Sequence, residues 1–229
     1  MTNLAQADTL KVWDAPLRLF HWLLVLAILA AFLSSEDDSP IASWHMVAGW
    51  CAAVLLAFRL VWGLVGGEHA RFARFIKPTA IGSHVRELFA GRPERSVGHN
   101  PLGAIAVLAL LGLTGIVLWS GVSVAAHKLD KDFHETLAYG LLALVALHVG
   151  AVVLMSFLTR ENLVRAMVTG RKRAGLHPDT RDARAPGALA LLVGSATIIL
   201  AVILILRSEP TAFTPHMRDG AHEHHEDKD

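Results

Sequence analysis

Two histidines, His134 and His148, stand fourteen residues apart in an apolar stretch that contains one carboxylate, Glu135, and no basic residue. On an α-helix this spacing is nearly four turns, so both imidazoles leave the same face, about 21 Å apart along the axis. Polar groups inside a bilayer are costly and are usually functional. The pair therefore predicts two ligands or two relay points at two depths of a membrane.

The composition supports a membrane location for these residues. Of the 229 residues, 53% are hydrophobic, and the mean hydropathy of +0.45 is too high for an ordinary soluble domain. A helix needs about 20 apolar residues to cross the hydrocarbon of a bilayer. The sequence predicts an all-α integral membrane helical bundle, with a four-helix core and a fifth transmembrane helix, from five apolar runs: Leu17–Leu33, His45–Val65, Pro101–Val122, His134–Leu158 and Pro186–Leu206.

The charges of the connecting loops alternate along the chain. The loop after the first run carries Glu36, Asp37 and Asp38 without a basic residue, whereas three other segments are basic. By the positive-inside rule, the N-terminus is cytoplasmic and the C-terminus periplasmic, in a multi-pass protein of the bacterial inner membrane. The basic residues of the predicted cytoplasmic segments are Lys11, Arg18, Arg71, Arg74, Lys77, Arg86, Arg92, Arg95, Arg160, Arg165, Arg171, Lys172, Arg173, Arg181 and Arg184.

Two further histidines complete the two levels. In this orientation His45 and His134 lie near the outer surface, and His21 and His148 lie near the inner one. Neutral imidazoles are common axial ligands of haem iron, and two per iron leave no open position. A C-x-x-C-H attachment motif is missing from the sequence. The four histidines therefore predict two non-covalent haem b groups, each held by one pair.

Arg59 lies fourteen residues after His45, on the same helix face and at the inner level. An arginine within the membrane needs a partner or an escape to the interface. Two interpretations stay open with equal weight: an ion pair with the propionates of the inner haem, or snorkelling of the guanidinium to the headgroups.

Several motifs then occur in a characteristic order. They are Val-Trp-Asp-Ala-Pro-Leu-Arg-Leu-Phe-His-Trp at 12–22, Trp44-His45, Phe58–Gly63, Ala70–Phe75, Gly98–Gly103, His134-Glu135, His148 and Glu161–Leu163. With these motifs residues 12–173 resemble the bacterial cytochrome b561 family, in particular the b-type cytochrome subunits of nickel–iron hydrogenases. The resemblance implies haem ligation by His21, His45, His134 and His148. It also implies electron transfer across the membrane between a periplasmic redox partner, such as a cytochrome c or a hydrogenase, and the quinone pool.

His99 and Asn100 precede the proline that opens the third run. A quinone headgroup near the inner haem could use such polar groups, and Asn100 is the candidate for a hydrogen bond to it. Capping of the helix is the alternative role, and the sequence favours it for His99. The segment from Glu68 to Arg95 mixes basic and apolar residues, which predicts a helix on the lipid surface.

The chain divides into a dihaem domain (12–173), a fifth transmembrane helix (186–206) and a histidine- and acid-rich extracytoplasmic tail (207–229). The tail could bind a metal weakly, remain solvated or dock a basic cytochrome. The leading hypothesis is an electron-transfer subunit of an oxidoreductase in a respiratory chain, with lipid, quinone and a periplasmic redox protein as partners, and with homo-oligomers left open. Two alternatives are a self-sufficient superoxide:quinone oxidoreductase and a haem-free protein that handles metal or protons. The sequence has no nucleic-acid signature.

Overall fold

A computed structural model describes residues 9–36, 39–75, 96–98, 100–178 and 180–215. Five helices in it are long and apolar enough to cross a membrane, which confirms the all-α, multi-pass prediction. The helices are α1 (Ala15–Leu33), α2 (His45–Val65), α3 (Phe72–Phe75), α4 (Pro101–Ala125), α5 (Lys131–Thr159), α6 (Leu163–Thr169) and α7 (Ala188–Ser208), and the strands are β1 (Thr9–Lys11) and β2 (Arg171–Arg173).

Polar caps set where the spans begin. Asp14 accepts a hydrogen bond from the Leu17 N–H (2.8 Å) at the start of α1, and Asn100 accepts one from the Gly103 N–H (2.6 Å) at the start of α4. Each cap satisfies a backbone donor that the helix itself leaves unpaired. A proline in the first turn of both helices fits the same position. The helix α5 begins at Lys131, three residues before the predicted start at His134.

The second span is the centre of the bundle. α1, α4 and α7 all pack against α2, and α5 packs mainly against α4. α2 is the most buried of the five spans and α5 the most exposed. We call the surface where α1, α4 and α7 begin the near side, and the surface where α2 and α5 begin the far side. The apolar core lies toward the near side and consists of Leu17, Phe20, Phe58, Trp62, Ala70, Leu111 and Ala190.

A two-stranded sheet closes the near side, and the helix-only prediction did not include it. β1 pairs with β2 in antiparallel register, with Leu10 opposite Lys172. The backbone N–H groups of Val12 and Trp13 both donate to the Gly170 carbonyl, at 2.8 and 3.1 Å. Gly170 has φ +76°, and a Cβ there would lie 2.7 Å from the Trp13 carbonyl oxygen, so glycine is required. The sheet ties the start of α1 to the end of α6.

Two segments with predicted roles are only partly described. The surface helix expected from Glu68 to Arg95 is described up to residue 75, where α3 forms a single turn, and residues 76–95 lie outside the described part. His99 and the tail from residue 216 onward also lie outside it.

The close contact between α7 and α2 generates a prediction. A Cβ at Gly194 would lie 3.0 Å from the Trp62 ring and 3.1 Å from Phe58. The Trp62 indole is fixed by its hydrogen bond to Asp14 (3.1 Å), so it has little freedom to retreat. We expect Gly194→Leu to destabilise the protein by about 1–3 kcal/mol through overpacking.

Thermal denaturation in detergent micelles measures this effect. Ala196→Leu adds bulk on an exposed position of the same helix and is the matched control. An equal change in melting temperature for both variants would contradict the tight α2–α7 contact.

Candidate cofactor sites: two histidine pairs

The far-side pair brings together the first residue of α2 and the first turn of α5. The ring centres of His45 and His134 are 6.1 Å apart, and the ring planes are perpendicular at 90°. Both side chains are half-buried. The predicted pairing of His45 with His134 therefore agrees with the geometry.

Hydrogen bonds at Nδ1 set the tautomer of both rings. His45 Nδ1 lies 2.8 Å from the Ala31 carbonyl oxygen, which can only accept, so this nitrogen carries the hydrogen. His134 Nδ1 lies 2.9 Å from the Ser120 hydroxyl, which itself donates to the Val117 carbonyl at 2.8 Å. Ser120 therefore accepts the Nδ1–H of His134. Each ring keeps Nε2 unprotonated, which is the form that binds a metal ion.

The spacing of the far-side pair fits one iron between the rings. An imidazole nitrogen binds a metal ion at about 2 Å, so two rings on one iron have centres about 6 Å apart. The observed 6.1 Å agrees with this value. Glycines surround the pair: Gly49 has open space beside it, and a Cβ at Gly121 would lie 3.1 Å from His134 Cε1. The donor set and the free space fit a planar bis-imidazole group.

The near-side pair is formed by His21 of α1 and His148 of α5. The two imidazoles interact electrostatically, and both are half-buried. His21 Nδ1 is buried and has no hydrogen-bond partner among the described residues. α1 and α5 touch at most marginally, so the two ligand-bearing helices stand apart at this level. The predicted pairing of His21 with His148 is consistent with this arrangement.

Arg59 is buried in the near-side half of α2, with 2% of its surface exposed. Its guanidinium lies 4.6 Å from the centre of the Phe72 ring, and its Nη1 has no hydrogen-bond partner among the described residues. Withdrawing a charge from water costs several kcal/mol, whereas a desolvated cation–π contact returns about 2 kcal/mol. Burial disfavours the snorkelling interpretation, and the Asp14 carboxylate interacts electrostatically with the buried guanidinium.

Asn100 acts as a helix cap. Its Oδ1 accepts the Gly103 N–H, so only the amide NH₂ group can serve a ligand. The sequence favoured a capping role for His99 more than for Asn100. Asn100 has the extended conformation of an N-cap, and His99 lies outside the described residues.

Two buried ionic contacts on the near side were not anticipated. Glu161 pairs with Lys172 at 2.9 Å and with His177 at 3.1 Å, and all three side chains are almost fully buried. Lys172 also donates to the Ser96 carbonyl at 2.9 Å, which joins the loop before α4 to the end of α5. Burial alone raises the pKa of Glu161, but the hydrogen bonds and charges of Lys172 and His177 together lower it.

Sequence reasoning missed the groups that orient the histidines. Ala31 acts through its backbone and so leaves no side-chain signal, and Ser120 lies on another helix from the ring it holds. Within the described ranges, no group of three or more His, Cys, Asp and Glu side chains could hold a metal ion.

Comparison with known proteins shows which proteins this chain is similar to. A family model described as prokaryotic cytochrome b561 matches residues 12–170. Proteins named probable Ni/Fe-hydrogenase B-type cytochrome subunit are similar to this chain. The protein from Bradyrhizobium diazoefficiens is 25% identical over 214 residues, covering 72% of this chain and 86% of the relative. Its counterpart from Rhizobium leguminosarum bv. viciae is 24% identical, with 73% and 90% covered. No solved structure matches.

The buried Glu161 generates a prediction about acid stability. Because its pKa is lowered in the folded protein, the carboxylate stabilises the fold above the ordinary carboxyl pKa of about 4.3, and this contribution is lost as the pH falls through the lowered value. Glu161→Gln leaves Lys172 buried without its anion and should cost about 3–5 kcal/mol at neutral pH.

Unfolding followed between pH 3 and pH 7 tests this prediction. The variant should show a flatter decline toward acid than the unmodified protein. Glu209→Gln is the comparison, since the side chain of this exposed residue accepts only the Thr211 hydroxyl, at 3.0 Å, within the described residues. Similar losses of unfolding free energy in both variants would show that the Glu161 cluster contributes no more than the comparison residue does.

Proposed function

This chain belongs to the prokaryotic cytochrome b561 family, and on that premise we propose that it is a dihaem b-type cytochrome that transfers electrons across the membrane between a periplasmic redox partner and the quinone pool. The observation that carries the proposal is the far-side histidine pair, whose ring separation and tautomers suit one shared iron. The haem-free alternative has no comparable support, because the similar proteins are named as b-type cytochrome subunits.

Four histidines would hold the two haems: His45 with His134 on the far side, and His21 with His148 on the near side. A haem with two imidazole ligands supplies reversible one-electron chemistry and leaves no open iron position. The protein then has to orient the ligands and exclude water. The four ligands would lie on α1, α2 and α5, and α4 completes the four-helix core. The fifth span, α7, supports this core by packing on α2.

The groups that accept the Nδ1–H of each histidine would adjust how strongly the imidazole donates electrons to iron. The Ala31 carbonyl is one of the carbonyls left without a helical partner at the end of α1, and it holds the Nδ1–H of His45. Ser120 does the same for His134. Such hydrogen bonds increase the basicity of a ligating imidazole and fix its orientation.

Arg59 would contact the propionates of the near-side haem. Its buried and unpartnered Nη1 supports this assignment, as does its position fourteen residues, or nearly four turns, after His45. A positive charge at this place favours the reduced haem.

The basic near side corresponds to the cytoplasm by the positive-inside rule, which places the far side in the periplasm of an inner-membrane protein. A periplasmic partner would then meet the haem between His45 and His134. Since the relatives are named as hydrogenase subunits, a hydrogenase-like protein is the proposed partner, with a cytochrome c as the other choice. Quinone would bind near the other haem, where the Asn100 amide NH₂ could donate to it.

Single-histidine variants test the ligand assignment. His45→Ala and His134→Ala should each reduce the haem content from two to one per chain and abolish the same redox transition. His21→Ala and His148→Ala should abolish the other transition. The pyridine haemochrome assay gives the count, and potentiometric titration identifies the haem.

His127→Ala is the control, since His127 lies in the loop between α4 and α5 and is exposed. It should retain both haems. Loss of the same haem from His45→Ala and His148→Ala would contradict the pairing.

The Ser120 hydroxyl provides a finer test. Ser120→Ala removes the hydroxyl that accepts the His134 Nδ1–H and leaves the Val117 backbone as the remaining acceptor for His134. The imidazole then donates less strongly to iron, which should raise the midpoint potential of the far-side haem alone. Ser123→Ala is the matched control, because Ser123 bonds only the Trp119 carbonyl of its own helix, at 2.8 Å. Equal shifts in both variants would rule out a role for Ser120 in tuning the haem.

A further inference from the structure

Asp14 is held in place by two helices at once. Its Oδ1 accepts the Leu17 N–H of α1 at 2.8 Å and the Trp62 Nε1–H of α2 at 3.1 Å. Its Oδ2 approaches Gly67 so closely that a Cβ there would lie 2.3 Å away. The carboxylate is therefore fixed between α1, α2 and the turn that follows α2.

This placement puts a negative charge beside Arg59. Trp62 and Arg59 are three residues apart on α2, which makes them neighbours on the helix surface. Asp14 bonds Trp62 directly and interacts electrostatically with Arg59. The Asp14 and Arg59 side chains are not hydrogen-bonded to each other, and Arg59 Nη1 has no partner among the described residues. The guanidinium is thus attracted by the charge of Asp14, and its Nη1 still has N–H groups that can donate to another anion.

Asp14 is also near the level of the near-side pair. It is the N-cap of α1, and His21 follows it by seven residues, so the two residues lie about 10 Å apart along the helix axis. A unit charge at about that distance in a protein environment changes an electron-binding equilibrium on the order of tenfold. The position is close enough to influence the near-side haem and too distant for ligation.

We propose that Asp14 opposes Arg59 and so sets the reduction potential of the near-side haem, a role that rests on the haem assignment under the proposed function. Arg59 favours the added electron, and Asp14 disfavours it. The two charges compensate each other, since the half-buried Asp14 is fixed beside the buried Arg59. Asp14 is in this sense a positioning residue, because it touches neither the iron ligands nor the reacting partners.

Helix capping alone would also explain why Asp14 is held in this position. One substitution separates this structural role from an electrostatic effect on the haem. Asparagine caps a helix as well as aspartate, and its Oδ1 can accept the same two hydrogen bonds. Asp14→Asn therefore removes the charge and leaves the cap and the Trp62 contact. A purely structural role would leave the redox potential unchanged.

The experiment is a spectroelectrochemical titration of the purified, haem-loaded full chain. Asp14→Asn should raise the midpoint potential of the near-side haem, equivalent to electron binding stronger by on the order of tenfold, with the far-side haem unchanged. Arg59→Leu should lower the near-side potential. The double variant should return toward the unmodified value because both charges are gone. Asp182→Asn is the matched control, since this exposed carboxylate accepts the Lys11 N–H at 2.8 Å and should shift neither potential.

The remaining outcomes distinguish failure of the proposed role of Asp14 from failure of the proposed function. An unchanged near-side potential in Asp14→Asn, with the expected shift in Arg59→Leu, would overturn the role of Asp14 and leave the proposed function intact. Loss of the near-side haem from both Asp14→Asn and Asp14→Ser, another uncharged cap, would show a structural support instead and would also overturn it. Fewer than two haems in the unmodified chain would refute the proposed function itself.

Discussion

The far-side histidine pair holds two imidazole rings 6.1 Å apart inside an apolar bundle, and the proposed function depends on this arrangement. Each ring has Nδ1 bonded to a neighbouring helix, which leaves Nε2 as the nitrogen that can bind a metal ion. Two such nitrogens at this separation can share one iron. The family assignment implies haem b as the group that supplies the iron.

The bundle supports this arrangement unevenly. Its apolar core lies toward the near side, where Phe58 and Trp62 stack at 5.3 Å and Asp14 fixes the indole. The sheet of β1 and β2 and the Glu161 cluster close the same end. α5, which carries one ligand of each pair, is the least buried span. A rigid near side and a loosely covered ligand helix fit a protein whose cofactors complete the packing.

Hydropathy was enough to predict the five spans, and the alternating direction of the spans with helical periodicity predicted the two levels of the four histidines, because all of these follow from positions along the chain. Contacts between distant segments were not predictable in that way. The Ser120 hydroxyl, the Ala31 carbonyl and the ion pair of Lys172 with Glu161 join residues on separate elements. Gly170 matters through the left-handed backbone that ends α6 and through its close approach to Trp13, a residue distant in the sequence. Capping by Asn100 was not favoured from the sequence, because an asparagine that caps a helix and one that binds a ligand are the same residue type.

Electron paramagnetic resonance of the oxidised, unmodified protein tests the central claim most directly. Two bis-imidazole haems predict two low-spin ferric signals of equal intensity and no high-spin signal. The far-side signal should be strongly anisotropic, because ring planes at 90° leave two iron d orbitals nearly equal in energy. A single low-spin signal, or a substantial high-spin component from an iron with an open position, would contradict the assignment of one haem to each histidine pair.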